Sequence, residues 1–202
     1  MLQRPGWAWC AMAAVLLLGS LLALGPAARP VLEWQPAQAW SDPWRWWSAA
    51  FVHYSRIHLI GNLTGLALVA AFGWVSRVPL TSTVAWGFAW PLTHGLFLWL
   101  APDLRYYGGV SGVVHAGVAV VLTHLFLTGT RGQRAVAVAL LAGLIAKIVS
   151  ETPWRASVQQ LDGFDIPIAP IAHVSGVLAG TVLALAVHAL QRATSAQRNA
   201  HV

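Results

Sequence analysis

Six apolar runs leave this chain little choice of fold. Residues 7–25, 57–75, 80–100, 111–128 and 169–190 are nearly free of charge over the roughly 17–25 residues that cross a bilayer as a helix, and 135–149 is a shorter sixth. Backbone groups in hydrocarbon have no water to bond, so runs of this length must satisfy themselves as helices. With 57% of residues hydrophobic and 9% charged, an ordinary soluble domain is excluded. The expected fold class is an all-α polytopic membrane protein, one domain over residues 1–202 with six transmembrane helices. Pro91 should kink the third of them. A cleaved signal peptide competes for residues 1–27, but its apolar part would be unusually long and Gly25-Pro26-Ala27-Ala28 is an imperfect cleavage site.

The few charges orient the spans. With an internal N-terminus, Arg4, Arg77, Arg131, Arg134, Arg192 and Arg198 fall inside, while Glu33, Asp42, Asp103, Glu151, Asp162 and Asp165 all fall outside. The net charge of +6 is therefore topological, and no nucleic-acid partner is expected. Residues 29–56 mix charges with Trp34, Trp40, Trp44, Trp46 and Trp47, which predicts an interfacial loop. Lys147, near the outer end of the fifth span, should snorkel to the surface. Cys10 is the only cysteine, so neither an internal disulfide nor a cysteine-rich metal site is available. The His-Glu-x-x-His of zinc proteases is missing too, and no metal or cofactor is expected.

Against that background the polar residues inside the spans stand out, because such groups are costly in lipid and default to function. His53, His58 and Asn62 lie at the outer start of the second span, Ser111 opens the fourth, and His173 lies about one turn into the sixth. All sit at one depth, just under the external surface. Gly108-Gly109-Val110-Ser111-Gly112 permits a sharp turn into a helix whose unpaired N–H groups favour an anion, as acyl transfer requires. A serine needs a base; His115, four residues on, shares its face, but His173 can approach from a neighbouring helix. Gly176-x-x-x-Gly180 is the spacing that lets that helix come close. No acid is expected at this depth, so the reading is a Ser–His dyad. His58 and Asn62, at i and i+4, would offer donors to an oxyanion beside the Ser111 N–H, or else serve as interhelical glue. His115 would line the pocket. A Ser111–Lys147 dyad is a further alternative.

These residues resemble the rhomboid intramembrane serine proteases. Trp44-Arg45 is similar to the family's first-loop motif, His53-x4-His58-x3-Asn62 to its second-helix spacing, Gly109-Val110-Ser111-Gly112 to its nucleophile motif, and Ala172-His173-x-x-Gly176-x-x-x-Gly180 to its sixth-helix motif. The resemblance covers about residues 44–180 and implies a six-helix rhomboid-like bundle. It makes Ser111 the nucleophile, His173 the base, and His58, Asn62 and the Ser111 amide the oxyanion hole, with His53 structural. His115 stands where rhomboids often carry Tyr. Together with the short chain this resembles the bacterial rhombosortase subgroup, associated with processing a C-terminal Gly-Gly tail signal. The implied setting is the inner membrane, with cytoplasmic termini and a site facing the periplasm. Lipid and a transmembrane protein substrate would be its partners, and residues 162–170, with Gly163, Pro167 and Pro170, would cap the site. A catalytically inactive, client-binding membrane protein is the alternative. Whether an acyl-enzyme passes to water or to an amine stays open, as does the oligomeric state.

Overall fold

A computed structural model describes residues 6–160 and 162–200; Arg4 lies outside them. Among the described residues nine α-helices follow in order: α1 (Trp7–Leu22), α2 (Arg29–Leu32), α3 (Arg45–Ser48), α4 (Arg56–Val75), α5 (Leu80–Gly95), α6 (Phe97–Leu100), α7 (Ser111–Thr128), α8 (Arg131–Ser150) and α9 (Ile171–Ala200). Among the described residues there is no strand, only isolated bridges at Trp34–Tyr107 and Gln159–Ile168. The protein is all-α, with α4, α7, α8 and α9 each long and apolar enough to cross a membrane.

The count of six expected spans is not carried by helix length alone. α1 and α5 have 16 residues each, and the segment Pro26–Leu32 bends away from α1 by 108°. Prolines account for these interruptions: Pro26 and Pro30 disfavour continuation from α1, and Pro91 removes an N–H from the ladder of α5 before it ends at Gly95. The fifth run, expected at 135–149, is longer than read. α8 starts at Arg131 because Thr130 and Gln133 form a reciprocal capping box, with Thr130 N–H donating to Gln133 Oε1 at 2.8 Å and Gln133 N–H to Thr130 Oγ1 at 3.3 Å.

α7 is the central element. It is 61% buried over its apolar window, against 11% for α8, and packs on α4, α5, α8 and α9. Its closest neighbour is α9: a Cβ at Gly176 would run into the Gly112 carbonyl oxygen, and one at Gly180 into that of Ala116. The main core joins Trp9, Leu66, Trp86, Val113, Val120 and Leu125 around α7.

A second, smaller core lies at one end. Trp34, Ala39, Ala49, Phe97, Leu104, Tyr107 and Ala172 pack together, so the tryptophan-rich segment has a small core of its own. One side chain organises it: Arg45, 4% exposed, donates to Asp42 Oδ2 (2.9 Å), the Glu33 carbonyl (2.7 Å) and the Pro30 carbonyl (2.9 Å). Trp34 exchanges backbone bonds with Tyr107, and Gly109 N–H donates to the Ala49 carbonyl at 3.0 Å, which fixes the strand of chain leading into Ser111.

Candidate active site

Ser111 is the first residue of α7, where a serine commonly caps the helix. Here Val110 holds the cap position without a side-chain cap bond, so the Ser111 hydroxyl is not spent on capping. Its contact is Tyr107 Oη at 3.3 Å. Tyr107, fully buried, donates its one O–H to the Gly109 carbonyl at 3.0 Å, which leaves the phenol oxygen to accept from Ser111. Burial pushes the Tyr107 phenol up, against the opposing contact with Ser111. Gly109 has φ 137, a conformation that favours glycine, and its bare α-carbon faces two donors. A Cβ there would stand 3.0 Å from His58 Nε2 and 3.3 Å from Asn62 Nδ2.

Those donors come from the first turns of α4. Ser55 caps that helix by accepting from the His58 N–H at 3.0 Å. Tyr54 N–H makes a long 3.5 Å contact to His58 Nδ1, which assigns the ring proton to Nε2, the nitrogen on the Gly109 side. Asn62 is buried and its Nδ2 has no partner among the described residues. His53 donates from Nδ1 to the Phe51 carbonyl at 3.1 Å and packs its ring 5.1 Å from that of His58. Burial lowers His53 to about 4, against that hydrogen bond, so it is neutral at ordinary pH.

The remaining groups come from α7 and α9. His115 donates from Nδ1 to the Ser111 carbonyl at 2.7 Å and stacks on His173, with centroids 4.1 Å apart and planes at 18°. Ser111, His58, Asn62, His115 and His173 all line one cavity of about 890 Å³. Gly163, Phe164, Ile166, Pro167, Ile168 and Ala169 also line it, and that segment is tied to α4 by Ser55 Oγ donating to Asp165 Oδ1 at 2.8 Å. Among the described residues no cluster of side chains suits a metal ion.

The family model of the rhomboid domain matches residues 41–190. The chain belongs to the rhomboid family. Rhomboid protease GlpG of Yersinia pestis (strain Pestoides F) is 30% identical over 177 residues, covering 84% of this chain and 56% of its own length. Its namesake from Photorhabdus laumondii subsp. laumondii is 28% identical over 162 residues, 76% and 51% of the two chains. This rhomboid thus spans about half the length of the curated relatives it matches.

Three residues make contacts at the site that the sequence reading did not assign to them. The expectation that no acid reaches the depth of His173 is wrong: Glu151 Oε2 accepts from His173 Nδ1 at 2.6 Å. The fifth helix, longer than expected, ends next to the start of α9 and delivers its last carboxylate there. Lys147, expected to snorkel, donates to Glu151 Oε1 at 2.7 Å and lies 3.3 Å from His173 Nδ1. The Lys147-x-x-x-Glu151 spacing was the available signal, since such pairs share a helix face. Burial pushes the Glu151 carboxyl up, but the His173 hydrogen bond and charge, with those of Lys147, outweigh it and hold it down at about 2. Tyr107 is the third, and nothing in its local sequence announces the contact to Ser111.

Proposed function

We propose that the protein is an intramembrane serine protease, with Ser111 as nucleophile and His173 as general base. The observation that carries this reading is one cavity shared by a serine hydroxyl not spent on capping its helix, a buried imidazole from α9 and a buried amide donor from α4 that has no partner among the described residues. Ser111 Oγ would attack the scissile carbonyl while its proton passes to His173 Nε2. The carbonyl oxygen, now negative, would be met by the Ser111 N–H, Asn62 Nδ2 and His58 Nε2. Collapse breaks the C–N bond as the proton moves from His173 to the leaving amine. The substrate would be a transmembrane or C-terminal anchor segment of a surface protein, entering from the lipid and unwinding at small residues. Gly61 and Gly65 line the cavity on α4 and leave width for an extended backbone.

His115 in place of the family's frequent Tyr supports a rhombosortase-like role in processing a Gly-Gly tail signal, with water or an amine as acyl acceptor. The arginine bias supports cytoplasmic termini and a site facing the periplasm of a bacterial inner membrane. Glu33, Asp42, Asp103, Glu151 and Asp165 gather at the Ser111 end of the bundle, in keeping with that orientation. A client-binding protein that does not cleave is favoured by one observation: Ser111 bonds Tyr107 and not His173. Apo catalytic contacts are often loose and tighten with substrate, so the protease reading stands ahead.

Purified protein in detergent, given a synthetic transmembrane substrate, should cleave it, and Ser111→Ala should abolish cleavage and fluorophosphonate labelling together. Cleavage that survives Ser111→Ala refutes the assignment. Mass spectrometry of a co-expressed Gly-Gly-tailed protein then separates hydrolysis from transfer.

A further inference from the structure

His173 is held from two directions. His115 lies flat against its face at 4.1 Å, and Glu151 grips its edge through Nδ1 at 2.6 Å. Both residues of the His173–Glu151 pair are buried, with side chains 9% and 11% exposed. The other carboxylate oxygen, Oε1, is committed to Lys147 at 2.7 Å, so the carboxylate has no free oxygen with which to swing away. Directly after Glu151, Thr152 adopts φ 47. A β-branched residue is strained there, and such strain persists where the surroundings over-determine the conformation. The turn at Thr152 ends α8 and leaves the Glu151 side chain directed at α9.

Two contacts compete for His173 Nδ1, and their lengths decide between them. An ammonium has donors only, so Lys147 would require a lone pair on Nδ1; an ionised carboxylate requires a proton there. Glu151 is ionised, since Lys147 also donates to it, and its contact is shorter, 2.6 Å against 3.3 Å. Nδ1 therefore carries the proton. Nε2 is left with the lone pair, in the cavity that Ser111 also lines.

We propose that Glu151 is a positioning residue of the catalytic machinery, so that the reacting set is Ser111–His173–Glu151 rather than a serine–histidine pair alone. The proposal rests on the protease reading above. In the attack step the Ser111 proton goes to His173 Nε2, the Oγ–C bond forms, and the carbonyl π pair becomes the oxyanion. Glu151 stays ionised throughout and takes no proton; it fixes the tautomer and faces the positive charge that appears on the ring. Lys147 keeps the carboxylate in place and touches no reacting atom.

Steady-state cleavage by wild-type, Ser111→Ala, Glu151→Gln and Glu151→Asp proteins tests this, read beside the proton spectrum of 15N-histidine-labelled samples. Glu151→Gln should lower kcat by about 10²–10⁴-fold, the size of effect seen when an orienting carboxylate becomes an amide. KM should stay within about threefold, because the lost interaction acts in the transition state, and Glu151→Asp should recover at least about tenfold of kcat. A strongly downfield Nδ1 proton should appear in the wild-type and Ser111→Ala spectra and vanish in Glu151→Gln. Equal kcat in wild-type and Glu151→Gln proteins overturns this inference alone, as does a wild-type spectrum without that proton. A wild type that keeps the proton yet cleaves nothing overturns the protease reading, and the catalytic part of this one with it.

Discussion

Asn62 carries an amide that the fold buries and leaves without a partner, an arrangement that costs stability unless something else requires it. Its Nδ2 and His58 Nε2 both face the bare α-carbon of Gly109, two residues before the nucleophile. Asn62→Ala should lower kcat by about 10²–10³-fold with little change in KM, the signature of a donor used only in the transition state. The melting temperature should stay level or rise, because no hydrogen bond is lost. Steady-state kinetics and a melt in the same detergent check both; a raised KM at constant kcat would make Asn62 a substrate-binding group instead. At this scale the sequence showed which residue types mattered, since a polar group within an apolar run is visible by eye. It did not show that Tyr107, in a loop, and Glu151, past the end of a span, would join them. Loop residues have no periodicity from which to read a direction.

The decisive element pair is α7 and α9. Gly176 and Gly180 on α9 lie against the backbone of α7 at Gly112 and Ala116, and this contact sets the distance between the serine and the imidazole. Gly176→Val should force the helices apart, at about 1–3 kcal/mol of overpacking. Activity should fall by about 10²-fold or more, as a displacement on the order of 1 Å at the reacting atoms suffices for that. Gly143→Ala on α8 is the matched control: nothing lies within 4 Å of its would-be Cβ, so it should be neutral or gain about 0.5–1 kcal/mol of helix preference. Cleavage rate and melting temperature of the two variants should therefore diverge; parallel behaviour would remove α7–α9 spacing as the cause. The small-residue spacing was legible in the chain, because glycine at i and i+4 has one obvious use between apolar helices. Its partner, the helix that Ser111 opens, could be read only from the chemistry, because a base has to meet its nucleophile; the spacing itself does not say which helix it meets.

Across the whole molecule, two groups border the cavity: the smaller core, through Tyr107, and the ion cluster of Lys147, Glu151 and His173. The second of these ties stability to pH. Glu151 is held at about 2 when folded against an ordinary 4.5, so its contribution is present above about 4.5 and lost as pH falls toward 2. Melts of wild-type and Glu151→Gln proteins should differ by a constant amount from about pH 7 to about pH 5, and the gap should close below that. A gap unchanged at about pH 3 would show that the carboxylate is not what the cluster stabilises. Hydropathy alone determined that the protein is helical and membrane-embedded, and residue spacing alone brought forward Ser111, His173, His58 and Asn62. Both are properties of consecutive residues, which a bilayer and a helix translate directly into depth and face. Only the tertiary structure decided that α8 ends beside α9, that its final carboxylate reaches His173, and that Ser111 leaves its own helix uncapped. Those outcomes depend on where one helix stops relative to another, and sequence periodicity carries no information between helices.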